Sequence, residues 1–239
     1  MLRTILFYPG VILSIFVTTI ALPRANYLKR KGKVDEATEF IHKITHRWAK
    51  FIMKISGAKV TVKGLENIPK DQTVVFMANH QSHFDIPLIM STIDVPKGFI
   101  AKKELEKWPG VSTWMKQIRC IFMDRDNLRK SAEAIVQGIN IIKSGYSMVI
   151  FPEGTRSKGG DTHDFKGGSF KLATKPKVPI VPITINGTYK LLEQNNSKIK
   201  AASVEVIIHP AVDVKNLSKE EINVLPETIE NIVFSSITK

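Results

Sequence analysis

Two short runs hold the side chains best suited to do chemistry together: Asn79-His80-Gln81-Ser82-His83-Phe84-Asp85 and Phe151-Pro152-Glu153-Gly154-Thr155-Arg156-Ser157. In the first, an imidazole and a carboxylate lie five residues apart. A histidine near neutral pKa can take a proton from an alcohol when a carboxylate holds its other nitrogen. Asp85 can equally start a helix, beside the positive end of its dipole, and that role is compatible with orienting His80. In the second run, Gly154 lets backbone amides approach a ligand closely, and Arg156 can grip a phosphate in bidentate fashion. Glu153 could orient Arg156 or a substrate hydroxyl. Lys102, Lys103 and Arg125 add cations near strand ends, although each alone reads as a solvated charge and Arg125 could simply pair with Asp124. A base with its orienting partner, facing an anion cradle, implies group transfer to a phosphorylated alcohol.

These residues need elements to position them. Residues 59–63 alternate with period two, and residues 73–78 form a continuous apolar run of strand length. A helix opens just after Asp85. Residues 99–101, 120–123, 147–151, 180–185 and 204–208 read as further strands. Residues 128–143 read as a helix, with Ile135, Val136, Ile139 and Ile142 on one side and Gly145 as its stop. Ser218 and Glu221 form a capping-box pattern opening a last helix. Strands alternating with helices predict an α/β domain with a mixed, largely parallel sheet flanked by helices. Both motifs follow a strand directly, and ligands of such sheets gather at the carboxyl ends of strands. The two runs are therefore expected to meet in one cleft.

Other chemistries fit less well. His80, His83 and Asp85 could form part of a zinc site. The remaining histidines do not complete it: His42 and His46 lie in an amphipathic segment, His163 in a glycine-rich loop and His209 at a late strand. The run Gly167-Gly168-Ser169-Phe170-Lys171 lacks the second glycine of a serine nucleophile elbow, and no phosphate-binding P-loop is present. Cys120 is the only cysteine, which leaves no disulfide framework and no thiolate metal cage. Its apolar neighbours make it a small core residue rather than a nucleophile.

The net charge of +13 is unevenly placed. Residues 1–63 hold twelve Lys or Arg against three acids, whereas residues 201–239 hold three Lys against six acids. The basic excess thus lies beside the most apolar stretch, residues 4–22, which carry no charge. That pairing favours an anionic membrane surface over nucleic acid. As a helix the stretch would be about 28 Å long, marginal for a full crossing, with Pro9 and Gly10 weakening its first turns. A cleaved signal peptide competes with this reading, but the cluster at 29–33 is of the kind that stays cytoplasmic. Ala37, Phe40, Ile41, Ile44, Trp48, Phe51, Ile52 and Ile55 then mark one helical face, and Lys43, Arg47, Lys50 and Lys54 mark another. Such a helix suits a membrane interface. Alternatively, it packs its apolar face on the catalytic body. The expected organisation is a membrane-attached pair of helices over residues 1–57, followed by an α/β domain over residues 58–239, on the cytoplasmic face of the membrane.

The motifs together resemble the glycerolipid acyltransferase family. They are Asn79-His80 with Asp85, Phe122-Met123-Asp124-Arg125, the run 151–157, and Val178-Pro179-Ile180-Val181-Pro182, in that order. Residues 101–105 and 165–167 are similar as well, and Arg119-Cys120 departs from the pattern where a glycine is frequent. The resemblance covers roughly residues 58–210 and is greatest to bacterial 1-acylglycerol-3-phosphate acyltransferases. It implies acyl transfer from a thioester, carried by acyl-carrier protein or coenzyme A, to the sn-2 hydroxyl of lysophosphatidate. It further implies His80 as base and Asp85 as its orienting partner. Lys102, Arg125, Gly154, Thr155 and Arg156 would hold the phosphate, and Glu153 would shape that pocket. Amides near the His80 turn become candidates for stabilising the oxyanion. No metal or cofactor is implied. Related acceptors, such as glycerol 3-phosphate or another lysophospholipid, stay open.

Overall fold

The computed structural model describes residues 1–161 and 164–237; His163 lies outside them. One sheet is built from β1 (Ala58–Lys63), β2 (Val75–Ala78), β3 (Lys97–Lys102), β4 (Ile121–Met123), β5 (Ser147–Ile150), β6 (Ile180–Asn186) and β7 (Ala202–Ile208). Across the sheet the order is β1-β7-β6-β2-β5-β3-β4. Every neighbouring pair is parallel except β6 and β7. β2 and β5 are buried at every position, as continuous apolar runs require when both faces of a sheet are covered.

Successive side chains on these strands point to opposite faces, and each face has its own core. Phe76, Val149, Val181 and Ile183 belong to one cluster. Val75, Met77, Met148 and Ile180 belong to the other. The first face is covered by α3 (Val34–Ser56), α4 (Asp85–Thr92) and α5 (Val111–Gln117), the second by α6 (Leu128–Lys143), α7 (Lys171–Thr174) and α8 (Lys219–Phe234). The helix predicted over residues 128–143 and the capping box of Ser218 with Glu221 are both present.

At the front, α1 (Leu2–Thr19) and α2 (Leu22–Arg30) form one bent apolar unit ahead of α3. The bend has a local cause. Pro23 has no N–H to donate back to Thr19, so the ladder of α1 stops and α2 opens with the proline in its first turn. Pro9 and Gly10 do not disturb α1 as expected. α1 lies against α3 here, with the Ile55 side chain 3.5 Å from where a Cβ on Gly10 would stand, an ordinary contact that an alanine would also make.

The apolar stripe of α3 faces protein. Ile41, Ala49, Ile52 and Met53 are buried in the same core as Phe84, Leu88 and Ile89, and Ala37 is buried as well. Its basic face, Lys43, Arg47, Lys50 and Lys54, is exposed. Most of the exposed apolar surface of the front end therefore belongs to α1, where Leu2, Ile5, Leu6, Ile12, Leu13, Phe16 and Val17 are all exposed and Phe7 alone is buried; of the α3 stripe only Phe51 is exposed. α1 is tied to the body by the Tyr8 hydroxyl on the Ser197 carbonyl (3.0 Å), the Ile199 amide on Thr4 Oγ1 (3.0 Å), and Trp48 Nε1 on Ser14 Oγ (3.0 Å).

Candidate active site

β2 and β5 are parallel neighbours, with Met77 opposite Ile150. Whatever follows each strand must therefore emerge at the same end of the sheet, side by side. His80 follows β2 and Glu153 follows β5, and the two turns are joined directly. The His80 amide donates to Glu153 Oε1 (2.5 Å), and the Ser157 amide donates to the His80 carbonyl (2.9 Å). The His80 ring stacks on Phe151, with centroids 4.1 Å apart and planes 17° apart.

His80 Nδ1 lies 2.7 Å from Asp85 Oδ2. Asp85 is the first residue of α4 and is fully buried. Its Oδ2 also accepts from the amides of Gln81 (2.7 Å) and Ser82 (2.9 Å), and its Oδ1 accepts from the Thr188 hydroxyl (2.6 Å). Three unambiguous donors converge on this buried carboxylate, which thus serves as an acceptor toward His80 as well. It therefore fixes the proton of His80 on Nδ1 and leaves a lone pair on Nε2, the nitrogen a general base needs. Further braces come from β6. Asn79 exchanges two hydrogen bonds with Ile185, through the amide nitrogen (2.7 Å) and the carbonyl (2.8 Å), and the Gly187 amide donates to Gln81 Oε1 (3.0 Å).

The anion side is built on Gly154, whose φ of +74° suits a residue without Cβ. Arg125 Nη1 donates to the Gly154 carbonyl. A Cβ on Gly154 would stand 2.8 Å from Lys166 Nζ, so a further cation closes over this turn. Among the described residues, the amides of Thr155 and Arg156 donate to no protein group. Arg125, Gly154, Arg156 and Lys166 thus surround one turn, with Thr155 exposed at its tip.

Several expectations need correction. Glu153 does not orient Arg156: it is 1% exposed and braces the His80 turn. Arg156 Nη1 is paired instead with Glu193 Oε1 at 3.0 Å. Arg125 does not pair with Asp124, which takes Lys103 Nζ at 2.7 Å. Lys102 is exposed and lies 3.4 Å from Glu104; among the described residues no contact links it to the Gly154 turn. The amides of the His80 turn are not available to an oxyanion either. Those of residues 80 to 84 are taken by Glu153, Asp85, Asp85, Glu193 and Ser82 in turn. His209 lies away from His80, on Thr184 Oγ1 (2.8 Å). Burial pushes the Cys120 thiol up to about 12, far from the range of a nucleophile.

Sequence reasoning missed Thr188, Glu193 and Gln81, and it left Lys166 without a role. Thr188 had a signal, since it follows β6 in the same strand-then-turn layout as the two motifs. Glu193 had none.

A family model described as Acyltransferase matches residues 59–186, which include both runs. The 1-acyl-sn-glycerol-3-phosphate acyltransferase of Borreliella burgdorferi is 36% identical over 190 residues, covering 80% of this chain and 74% of that protein. A probable 1-acyl-sn-glycerol-3-phosphate acyltransferase of Mycoplasma pneumoniae is 36% identical over 176 residues, covering 70% of this chain and 64% of that one. The crystal structure of the 1-acyl-sn-glycerophosphate acyltransferase of Thermotoga maritima matches with a TM-score of 0.85 at 33% identity, over 97% of this chain and 92% of that chain. With motifs, fold and relatives in agreement, the chain belongs to the glycerolipid acyltransferase family.

Proposed function

We propose that this protein is a 1-acyl-sn-glycerol-3-phosphate O-acyltransferase that forms phosphatidate for phospholipid synthesis. It moves a fatty acyl group from a thioester of acyl-carrier protein or coenzyme A to the sn-2 hydroxyl of lysophosphatidate. The observation that carries the reading is His80 Nδ1 held at 2.7 Å by a buried, four-donor Asp85, beside a cation-rich glycine turn. The acceptor named for the relatives from Borreliella burgdorferi and Thermotoga maritima supports the choice of lysophosphatidate.

In this mechanism His80 Nε2 takes the hydroxyl proton as the alcohol oxygen attacks the thioester carbonyl. The tetrahedral intermediate collapses, the C–S bond breaks, and the imidazolium returns its proton to the leaving thiolate. Asp85 stabilises the imidazolium and holds its ring. Arg125, Arg156, Lys166 and the Gly154 turn bind the phosphate, with Thr155 at the rim and Lys102 as an outer charge. Glu153 holds the two turns together. The amides of Thr155 and Arg156, uncommitted among the described residues, serve phosphate or oxyanion. Residues 1–57 attach the catalytic body, 58–239, to an anionic membrane surface through the exposed apolar side of α1, with the basic cluster at 29–33 favouring the cytoplasmic face. Each step is complete without a metal or a bound cofactor.

Free-thiol release from an acyl thioester in detergent micelles tests this. Release that requires lysophosphatidate and vanishes in His80→Ala is the expected result. Release driven equally by glycerol 3-phosphate would move the acceptor to that related class. Release unchanged in the variant would remove the base.

A further inference from the structure

A second group of chemistry-bearing side chains lies on α3, away from the cleft. His42 and His46 are one helical turn apart and so project from the same side of the helix. Asp94, in the link between α4 and β3, places its Oδ1 2.7 Å from His42 Nε2. One ligand atom from each of the three residues lies within 4.8 Å of those of the other two. His46 Nδ1 is committed to the Met90 carbonyl at 2.7 Å. A ring nitrogen on a backbone carbonyl is the usual outer support of a metal-binding histidine, and it leaves Nε2 as the donor. His46 thus adds a second tie, from α3 to α4, and its Nε2 is left over as a third donor atom.

We propose that His42, His46 and Asp94 form a binding site for a divalent transition metal of the zinc class. Two imidazoles and one carboxylate match the ligand preference of such ions, with water completing a tetrahedron. Donor atoms around tetrahedral zinc stand about 3.3 Å apart, so the His42–Asp94 contact must open by about half an ångström, and a pair standing at the 4.8 Å limit must close by about 1.5 Å. The Asp94 side chain is 80% exposed and free to move that far. A cavity of about 10 Å³ bordered by His42, His46, Met90 and Lys97 adjoins the cluster.

Lys97 is a buried side chain beside the site. Its Nζ is held by the carbonyls of Ile93 (2.6 Å) and Val95 (2.9 Å), which flank Asp94, so it also fixes the loop that presents the carboxylate. A bound ion would staple α3 to the end of α4, the helix that begins with Asp85. Metal that binds the folded chain alone stabilises it by mass action.

The test uses the full chain in detergent micelles, free of any histidine tag. Zinc binding is followed by calorimetry, the site geometry by cobalt(II) visible absorption, and stability by Tm with and without zinc. One zinc per chain, an intense tetrahedral cobalt spectrum and a raised Tm are expected. His42→Gln and His46→Gln should each weaken zinc binding by at least about tenfold and abolish the rise in Tm. Metal-free Tm and circular dichroism would show that these variants fold. His83→Gln should leave zinc binding unchanged. Stoichiometric zinc that survives the double substitution of His42 and His46, zinc lost in His83→Gln, or no binding in the millimolar range would each overturn the proposal.

Discussion

The two sides of the cleft are held to very different degrees. On the base side the supporting groups are buried: Asp85 0%, Asn79 1%, Glu153 1% and Gln81 6% exposed. Each has its hydrogen bonds made within the protein. On the cation side Arg125, Thr155 and Lys166 are exposed and Arg156 is partly so. The difference follows from what each side has to do. Proton transfer depends on the position of one nitrogen within a fraction of an ångström. Charge attraction falls off slowly with distance, so a phosphate can be gathered by side chains that still move. Damage to the first side should therefore appear in kcat, and damage to the second mainly in KM.

The largest effect belongs to His80→Ala, which should lower kcat by about 10²–10⁴ with little change in Tm. Asp85→Asn comes next, with a large loss of kcat and a stability loss of about 1–3 kcal/mol, because an amide cannot accept from all the donors arranged around a carboxylate. Arg156→Ala should instead raise KM for lysophosphatidate by about tenfold or more, as expected for one lost charge-assisted hydrogen bond, and leave kcat near its original value. A drop confined to kcat in Arg156→Ala would break the contrast. Thr188→Val is a finer probe. It leaves Asp85 Oδ1 without its hydroxyl donor and should lower kcat by up to about tenfold, with KM unchanged.

Glu193 sharpens the cation side further. Its Oε1 takes Arg156 and the His83 amide, while its buried Oε2 has no partner among the described residues. A carboxylate already seated on Arg156 competes with an incoming phosphate. Glu193→Gln, which removes that negative charge, is expected to lower KM for lysophosphatidate in steady-state assays. A raised KM would mean that Glu193 instead holds Arg156 ready for the phosphate.

Much of this layout was legible from local pattern. β2 and β5 are uninterrupted apolar runs, α6 keeps a clear helical period, and Ser218 with Glu221 marks the start of α8. His80 and Asp85 lie on one turn, so their pairing was also local. The pairings of the braces were not legible, even where a residue such as Thr188 stood in a suggestive place after a strand, because the partners come from far along the chain. Thr188 reaches Asp85 across 103 residues and Asn79 reaches Ile185 across 106. α5 is only seven residues long and carries no period to read. The stripe of α3 was ambiguous for a physical reason, since lipid and protein core are equally apolar and demand the same side chains. Arg119 shows the converse: its φ of +56° explains why a glycine suits this point in the family pattern. Here the arginine is held over the Tyr146 ring at 4.5 Å.

Lys97 extends the comparison to a charge buried outside the cleft. Asp85 is met by four donors, whereas Lys97, 5% exposed at the start of β3, is met by two neutral carbonyls. Burial lowers its pKa from 10.5 to about 7, with Asp94 opposing the shift only in part. The depressed value sets the sign. Between pH 7 and 10.5 the unfolded chain holds the proton and the folded chain does not, so stability rises with pH through this window. The limiting slope for one such group is about 1.4 kcal/mol per pH unit. Lys97→Met removes the titration while keeping the length of the side chain. Urea unfolding of both proteins at pH 7 and pH 9 should show native stability gaining on the variant as pH rises, whatever the offset between them at pH 7. Parallel curves would mean that the two carbonyls keep Lys97 protonated, and that a buried cation needs fewer partners than the four that surround Asp85.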